Sequence, residues 1–376
     1  MIAQACAAPS RRPERLNDLT IIMGEWSMSE PVMGVVVGRP PALRTFALLA
    51  TALSLLGVVT LSTPVLAAAT AADSVYSIES PKAAKSLMLD VVHAGKRLVA
   101  VGDRGHILYS DDQGQTWVQA KVPTRQLLTA VYFVDDKRGW AVGHDAQVLA
   151  SSDGGATWTR QFQDLKREAP LLDVWFKDTQ TGYAVGAYGA LLETSDGGQH
   201  WEDVSDRLDN EDQFHLNAIA QVKDSGLFIV GEQGSMFRSA DDGQTWERLE
   251  GPYEGSLFGV IGTGQPATLL VYGLRGNLYR STDFGSTWEQ VELNAARGAL
   301  EFGLSGATLL DDGSLVIVGN GGSVILSTDH GQTFSVFNRA DRISLSAVTA
   351  AGNGDLILAG QGGVRVSAAT GAELGQ

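Results

Sequence analysis

Val101–Trp117 reads VGDRGHILYSDDQGQTW, and the same pattern returns five more times: VGHDAQVLASSDGGATW (142–158), VGAYGALLETSDGGQHW (185–201), VGEQGSMFRSADDGQTW (230–246), YGLRGNLYRSTDFGSTW (272–288) and VGNGGSVILSTDHGQTF (318–334). A seventh copy, AGQGGVRVS (359–367), begins and then fades. The lead glycines are Gly102, Gly143, Gly186, Gly231, Gly273, Gly319 and Gly360, at intervals of 41, 43, 45, 42, 46 and 41 residues. The closing aromatic (Trp117, Trp158, Trp201, Trp246, Trp288, Phe334) always follows its glycine by 15 residues, so the length variation is confined to the rest of each unit. Periods of roughly 40–45 residues made of short strands point to propeller blades, because helical repeats would show a 3.6-residue apolar period.

Each unit divides into four strands. In the third these are expected at 171–176, 182–185, 190–194 and 201–204. The fold expected is all-β, a seven-bladed β-propeller of four-stranded blades. The chain ends before an outer strand of the seventh blade can form. Ser74–Glu79 alternates as a strand should, and it is expected to complete that blade and close the ring.

Glycine is abundant, at 44 of 376 residues against 11 prolines, as frequent turns require. The formal charge of −15 and pI near 4.8 argue against nucleic acid as a partner, since phosphate binding needs clustered Lys and Arg. Arg39–Arg44, the apolar run Phe46–Leu61 and the small residues up to Ala67 have the order of an export signal with cleavage after Ala67. The apolar run has 16 residues and is short for a membrane anchor. Residues 1–67 are therefore assigned to an N-terminal extension and signal peptide, 68–85 to a linker with the ring-closing strand, and 86–376 to the propeller. The expected location is outside the cytoplasm, in a periplasm or a thylakoid lumen, free or at a membrane surface. Removing 1–67 takes away five basic and four acidic residues and the only cysteine, Cys6, leaving 23 against 39 and a charge of −16. Disulfides and thiolate zinc sites are thereby excluded from the mature chain.

The Ser/Thr-x-Asp-x-Gly-x-Thr-Trp element is the Asp-box of the BNR repeat, with acids at Asp112, Asp153, Asp196, Asp241, Asp283 and Asp329. Asp accepts backbone N–H bonds across a tight turn, and Gly takes a positive φ. Six evenly spaced copies cannot converge on one site, so they read as structural braces, and the aromatics beside them read as core. The six histidines lack metal-ligand spacing, and no metal or other cofactor is expected.

From Ser86 onward the chain resembles the photosystem II stability and assembly factor family of BNR propellers. The resemblance is strongest in LLTAVYFVDDKRGWAVGHDAQVLASSDGGATW (127–158) and LLDVWFKDTQTGYAVGAYGALLETSDGGQHW (171–201). It implies a non-enzymatic, cofactor-free protein that binds membrane-protein subunits under assembly; similar propellers occur in bacteria without photosynthesis. It also implies an arginine-rich patch on one face. In a propeller the segments linking blades share a face with the loops between second and third strands, opposite the Asp-boxes. The residues matching that expectation are Arg104, Arg125, Arg167, Arg275, Arg297 and Arg342, with Lys166, Arg207 and Arg339 nearby in sequence. Arginine suits such recognition because its planar fork pairs with carboxylates and stacks on aromatics. A monomeric propeller is expected.

Two other readings share the scaffold. One is an accessory subunit of an envelope transport complex. The other is a BNR-type glycoside hydrolase of sialidase type, which requires paired acids or a carboxylate-activated tyrosine. Tyr188 and Glu232 fall on the appropriate face for that chemistry, but the Phe/Tyr-Arg-Ile-Pro motif of sialidases is missing.

Overall fold

The computed structural model describes residues 75–296 and 298–374. Seven antiparallel sheets are each traversed from the axis outward. Their first strands are Met88–Ala94, Leu128–Phe133, Leu171–Phe176, Leu216–Val222, Leu257–Gly262, Leu304–Leu309 and Leu345–Ala350. Blades 1 to 6 have four strands, and blade 7 has three, ending with Gly363–Ser367. Among the described residues there is no α-helix, and no helix is long and apolar enough to cross a membrane. The segment proposed above as a signal lies outside the described residues, as does Arg297.

The lead glycines end the second strands in extended backbone, which any residue adopts. Space, rather than conformation, demands glycine there. A Cβ on Gly102 would stand 2.2 Å from the carbonyl oxygen of Leu87, just ahead of the first strand, and the same clash recurs at 2.2–2.4 Å in the other six blades. The approach is close because the next N–H donates to that same carbonyl: Asp103 to Leu87 (2.9 Å), Ala187 to Pro170 (3.0 Å), Gln361 to Ser344 (3.0 Å), and likewise in each blade. The bond fastens every blade-linking segment to the loop between second and third strands, and so builds one face of the ring.

At the other face each Asp-box is spent on its own turn. In blade 1, Asp112 Oδ1 accepts from the Thr116 N–H (2.8 Å) and Ser110 hydroxyl (2.8 Å), while Oδ2 accepts from the Thr116 hydroxyl (2.5 Å). His200 replaces the threonine in blade 3, its Nδ1 lying 2.6 Å from Asp196. These bonds, led by those from Thr116, hold Asp112 down at about 2, and those from His200 and Thr245 do the same for Asp196 and Asp241.

Seven apolar clusters fill the seven seams between neighbouring blades. The Asp-box aromatics pack into them: Trp158 lies edge-on to Phe133 (6.0 Å), Trp201 to Phe176 (5.8 Å) and Trp288 to Phe228 (6.0 Å). Trp140 stacks on Phe176 across the seam between blades 2 and 3, with centroids 3.4 Å apart.

The ring closes differently from the expectation that Ser74–Glu79 completes blade 7. Val75–Ser80 forms no strand and lies on the rim of blade 1, where the Ser77 N–H bonds the Val122 carbonyl (2.9 Å) and Gln119 bonds Ile78 and Ser80. The outer edge of blade 7 is met by another segment, at its C-terminal end. The chain turns back after Ser367 to bridge it with Glu373, and buried Arg339 clamps the turn through the Gly371 carbonyl (2.7 Å) and Glu373 (3.2 Å). Closure rests on apolar packing of Met88, Val91, Leu98, Ala100 and Leu108 of blade 1 against Ala347, Ile357 and Ala359 of blade 7, capped by Ala83. No strand crosses that seam. Met88→Ala is therefore expected to cost about 2–5 kcal/mol in urea unfolding, whereas Tyr76→Ala, at the rim, costs at most about 1 kcal/mol. The reverse ranking would mean that the rim segment closes the ring.

Candidate partner-binding face and axial channel

The face built by the linkers and second-to-third-strand loops carries the expected cations, but unequally. Arg104 is exposed with only Asp103 beside it (3.3 Å), and Arg275 and Arg342 are exposed with no ion-pair partner among the described residues. Arg125 is engaged, donating from Nε to the Tyr76 carbonyl (2.8 Å). Arg167 is partly buried and paired with Asp203. Arg207 is likewise tied to Glu193 (2.8 Å) and to the Gly243 carbonyl (3.1 Å), and Arg339 is the buried clamp of blade 7.

Arg104 and Arg275 sit at loop tips with φ of 57° and 59°, as does Tyr188 with 56°. The left-handed region is costly for side-chain-bearing residues, and here it thrusts long side chains outward from a row of tight loops. Sequence reading did not foresee the apolar surface beside them. Leu274 and Phe302 are exposed next to Arg275. A groove of about 620 Å³ runs between the hairpin Asn294–Ala295/Gly298–Ala299 and the outer strand of blade 6, lined by Leu300, Phe302, Phe337 and Arg342 among others. That hairpin accounts for the longest repeat interval. Tyr188 packs edge-on against His215 (5.1 Å), whose Nδ1 lies 3.5 Å from Glu232, so the two residues singled out for hydrolase chemistry are joined through an imidazole.

The axial channel holds a cavity of about 450 Å³ lined by the first strands. Asp90 and Asp173 occupy the same place, third residue of the first strand, in blades 1 and 3. Asp90 accepts from the N–H of Val91 (2.8 Å) and of Val131 in blade 2 (2.9 Å). Asp173 accepts from Val174 (2.8 Å) and from Ile219 in blade 4 (2.9 Å). Thr129 and Asn217, one position earlier in blades 2 and 4, bond the carbonyls of Leu171 and Leu257 (2.7 Å each). Successive blades are thus clasped round the axis. Both carboxylates are enclosed by protein on every side but the channel. Burial raises Asp90 to about 6 and Asp173 to about 7, against the lowering by the backbone bonds, and the neighbouring Asp90 charge raises Asp173 further. Burial, then the charges of Asp173 and Asp90, push the Tyr272 phenol up. Among the described residues no cluster of His, Cys, Asp and Glu is placed to hold a metal ion.

The two sets of carboxylates act on stability with opposite signs. The Asp-boxes have folded values below the unfolded one of 3.8, so their contribution is present above that pH and lost as pH falls toward about 2. Asp90 and Asp173 have folded values above it, so the stability they contribute while protonated is lost as pH rises through about 6 and 7. Unfolding free energy is expected to peak between these limits. Asp173→Asn should flatten the fall between about pH 4 and 7, by on the order of 3–4 kcal/mol, in denaturant titrations at several pH values. An unchanged slope in the variant would refute the assignment.

Against proteins of known family, residues 115–170 and 160–301 match the model described as Photosynthesis system II assembly factor YCF48, and residues 108–119 match the BNR/Asp-box repeat. No curated protein matches in sequence. Among solved structures, YCF48 from Cyanidioschyzon merolae is 18% identical with a TM-score of 0.59, covering 77% of this chain and 97% of that one. A structure titled YCF48 bound to D1 peptide is 20% identical with a TM-score of 0.58, covering 77% and 95%. Streptogramin B lyase has a TM-score of 0.62 at 11% identity, covering 77% and 96%. At such identities these likenesses speak to fold.

Proposed function

The chain belongs to the YCF48-like family of photosystem II assembly-factor propellers, and on that premise we propose that it is an exported, non-enzymatic scaffold that binds segments of membrane proteins during assembly of their complex. The observation that carries this reading is the contrast between an acidic molecule and one face on which Arg104, Arg275 and Arg342 stand exposed beside Leu274 and Phe302. Exposed apolar groups next to cations fit a peptide that offers both a hydrophobic side chain and a carboxylate. The groove ending at Arg342 has room for such a side chain. A D1 peptide bound to a YCF48 of the same fold is consistent with a membrane-protein partner. Periplasm or lumen is the compartment in which such a face would meet its partner.

The test is photocrosslinking capture from detergent-solubilised membranes with the full chain and with Arg104→Glu/Arg275→Glu/Arg342→Glu. Membrane proteins captured by the first and lost by the second, with circular dichroism unchanged, are the expected result. Equal capture by both would move binding to another surface. Cleavage of glycan substrates abolished by Tyr188→Phe would replace the scaffold reading with a hydrolase.

A further inference from the structure

Buried carboxylates in proteins are paired with cations, bound to metal, or protonated, because an isolated charge out of water is expensive. The axial channel brings no fixed cation of its own to its two acids. Asp90 and Asp173 face it from blades 1 and 3, and no Lys or Arg lines it among the described residues. Each of their oxygens accepts one backbone N–H, which leaves its second lone pair for the channel. The lining is rich in further acceptors, the Asn217 carbonyl oxygen and Thr129 hydroxyl among them.

A second observation is independent of the acids. Tyr272, from the second strand of blade 5, is 4% exposed and lines the channel, and its phenol makes no hydrogen bond among the described residues. It reaches the channel by crossing Gly259, where a Cβ would lie 2.2 Å from the phenol oxygen. At the corresponding second-strand positions the other blades carry Val101, Val142, Val185, Val230, Val318 and Ala359. Glycine at 259 and tyrosine at 272 thus form a matched pair that brings one hydroxyl to the axis. As third residues of their strands, Asp90 and Asp173 stand about 7 Å from the strand ends on the face bearing the exposed arginines.

We propose that this channel is a binding site for an alkylammonium head group, held between the carboxylates of Asp90 and Asp173 and the hydroxyl of Tyr272. A primary ammonium supplies three donors to a site that presents acceptors, and its charge answers two acids that have no counterion. The head group arrives either on a lysine side chain of a segment docked at that face or as a free amine. The site stands apart from the partner reading, since charge reversal at Arg104, Arg275 and Arg342 leaves its residues in place.

The experiment follows the carboxyl carbons of Asp90 and Asp173 by NMR in the full chain, through pH titrations in n-butylammonium, tetramethylammonium and sodium chloride at equal ionic strength. Butylammonium alone is expected to lower both midpoints, saturably, and binding should weaken ~tenfold in Asp173→Asn and severalfold in Tyr272→Phe. Tyr272→Phe keeps the ring and the charges, so it remains informative if an Asp variant misfolds. A capped lysine peptide and 1,5-diaminopentane then separate the two sources, either one binding being consistent with the site. Midpoints that move equally in all three salts, or not at all, would overturn the proposal and leave two acids that simply protonate. Retention of full affinity in both variants would overturn it as well.

Discussion

In every blade, the N–H that follows the lead glycine donates to the carbonyl ahead of the first strand, and the glycine is there because nothing larger fits beneath that bond. It joins the entry of a blade to its own middle loop. Seven repetitions place all linkers and all these loops on one face, and leave the Asp-box turns to the other. The distribution of charge follows from that constraint, since the linkers vary in length and content while the braced turns do not.

Closure shows how a ring can do without strand exchange. A propeller whose last blade borrows a strand from the start of the chain joins its ends by hydrogen bonds. Here the short return after Ser367, locked by Arg339, covers the end of the exposed edge, and the seam of blades 7 and 1 is filled as the other six are. Dispersion and apolar burial, rather than a shared ladder, hold the circle.

Much of this was legible in the residues. The glycine period gave the blade count, and the fifteen-residue spacing located the third strands and Asp-boxes, because these are local relations within one chain segment. Ser74–Glu79 was misread because alternation alone cannot say which edge a strand will find. Arg339 looked like a surface cation because its burial depends on a turn 32 residues later. Arg125 and Arg167 likewise found partners only in three dimensions. Asp90 and Asp173 carried no motif at all. They lie 83 positions apart in unrelated contexts, and only the ring sets them across one channel. The repeat-to-repeat alignment held a signal nonetheless: acids at a position where the other blades have alanine or glycine.

The closing seam also decides how the molecule bears force. Six of the seven seams are crossed by a blade-linking segment of the chain, whereas here blade 1 meets blade 7 through noncovalent contacts only, the apolar packing and the bond between His93 Nε2 and the Ala350 carbonyl (2.7 Å) among them. A load that loosens the packing leaves the two blades tethered by the chain at the other six seams and finds no such tether at this one. Strain on the ring would open it at one fixed line and leave the other six joints held by the chain itself.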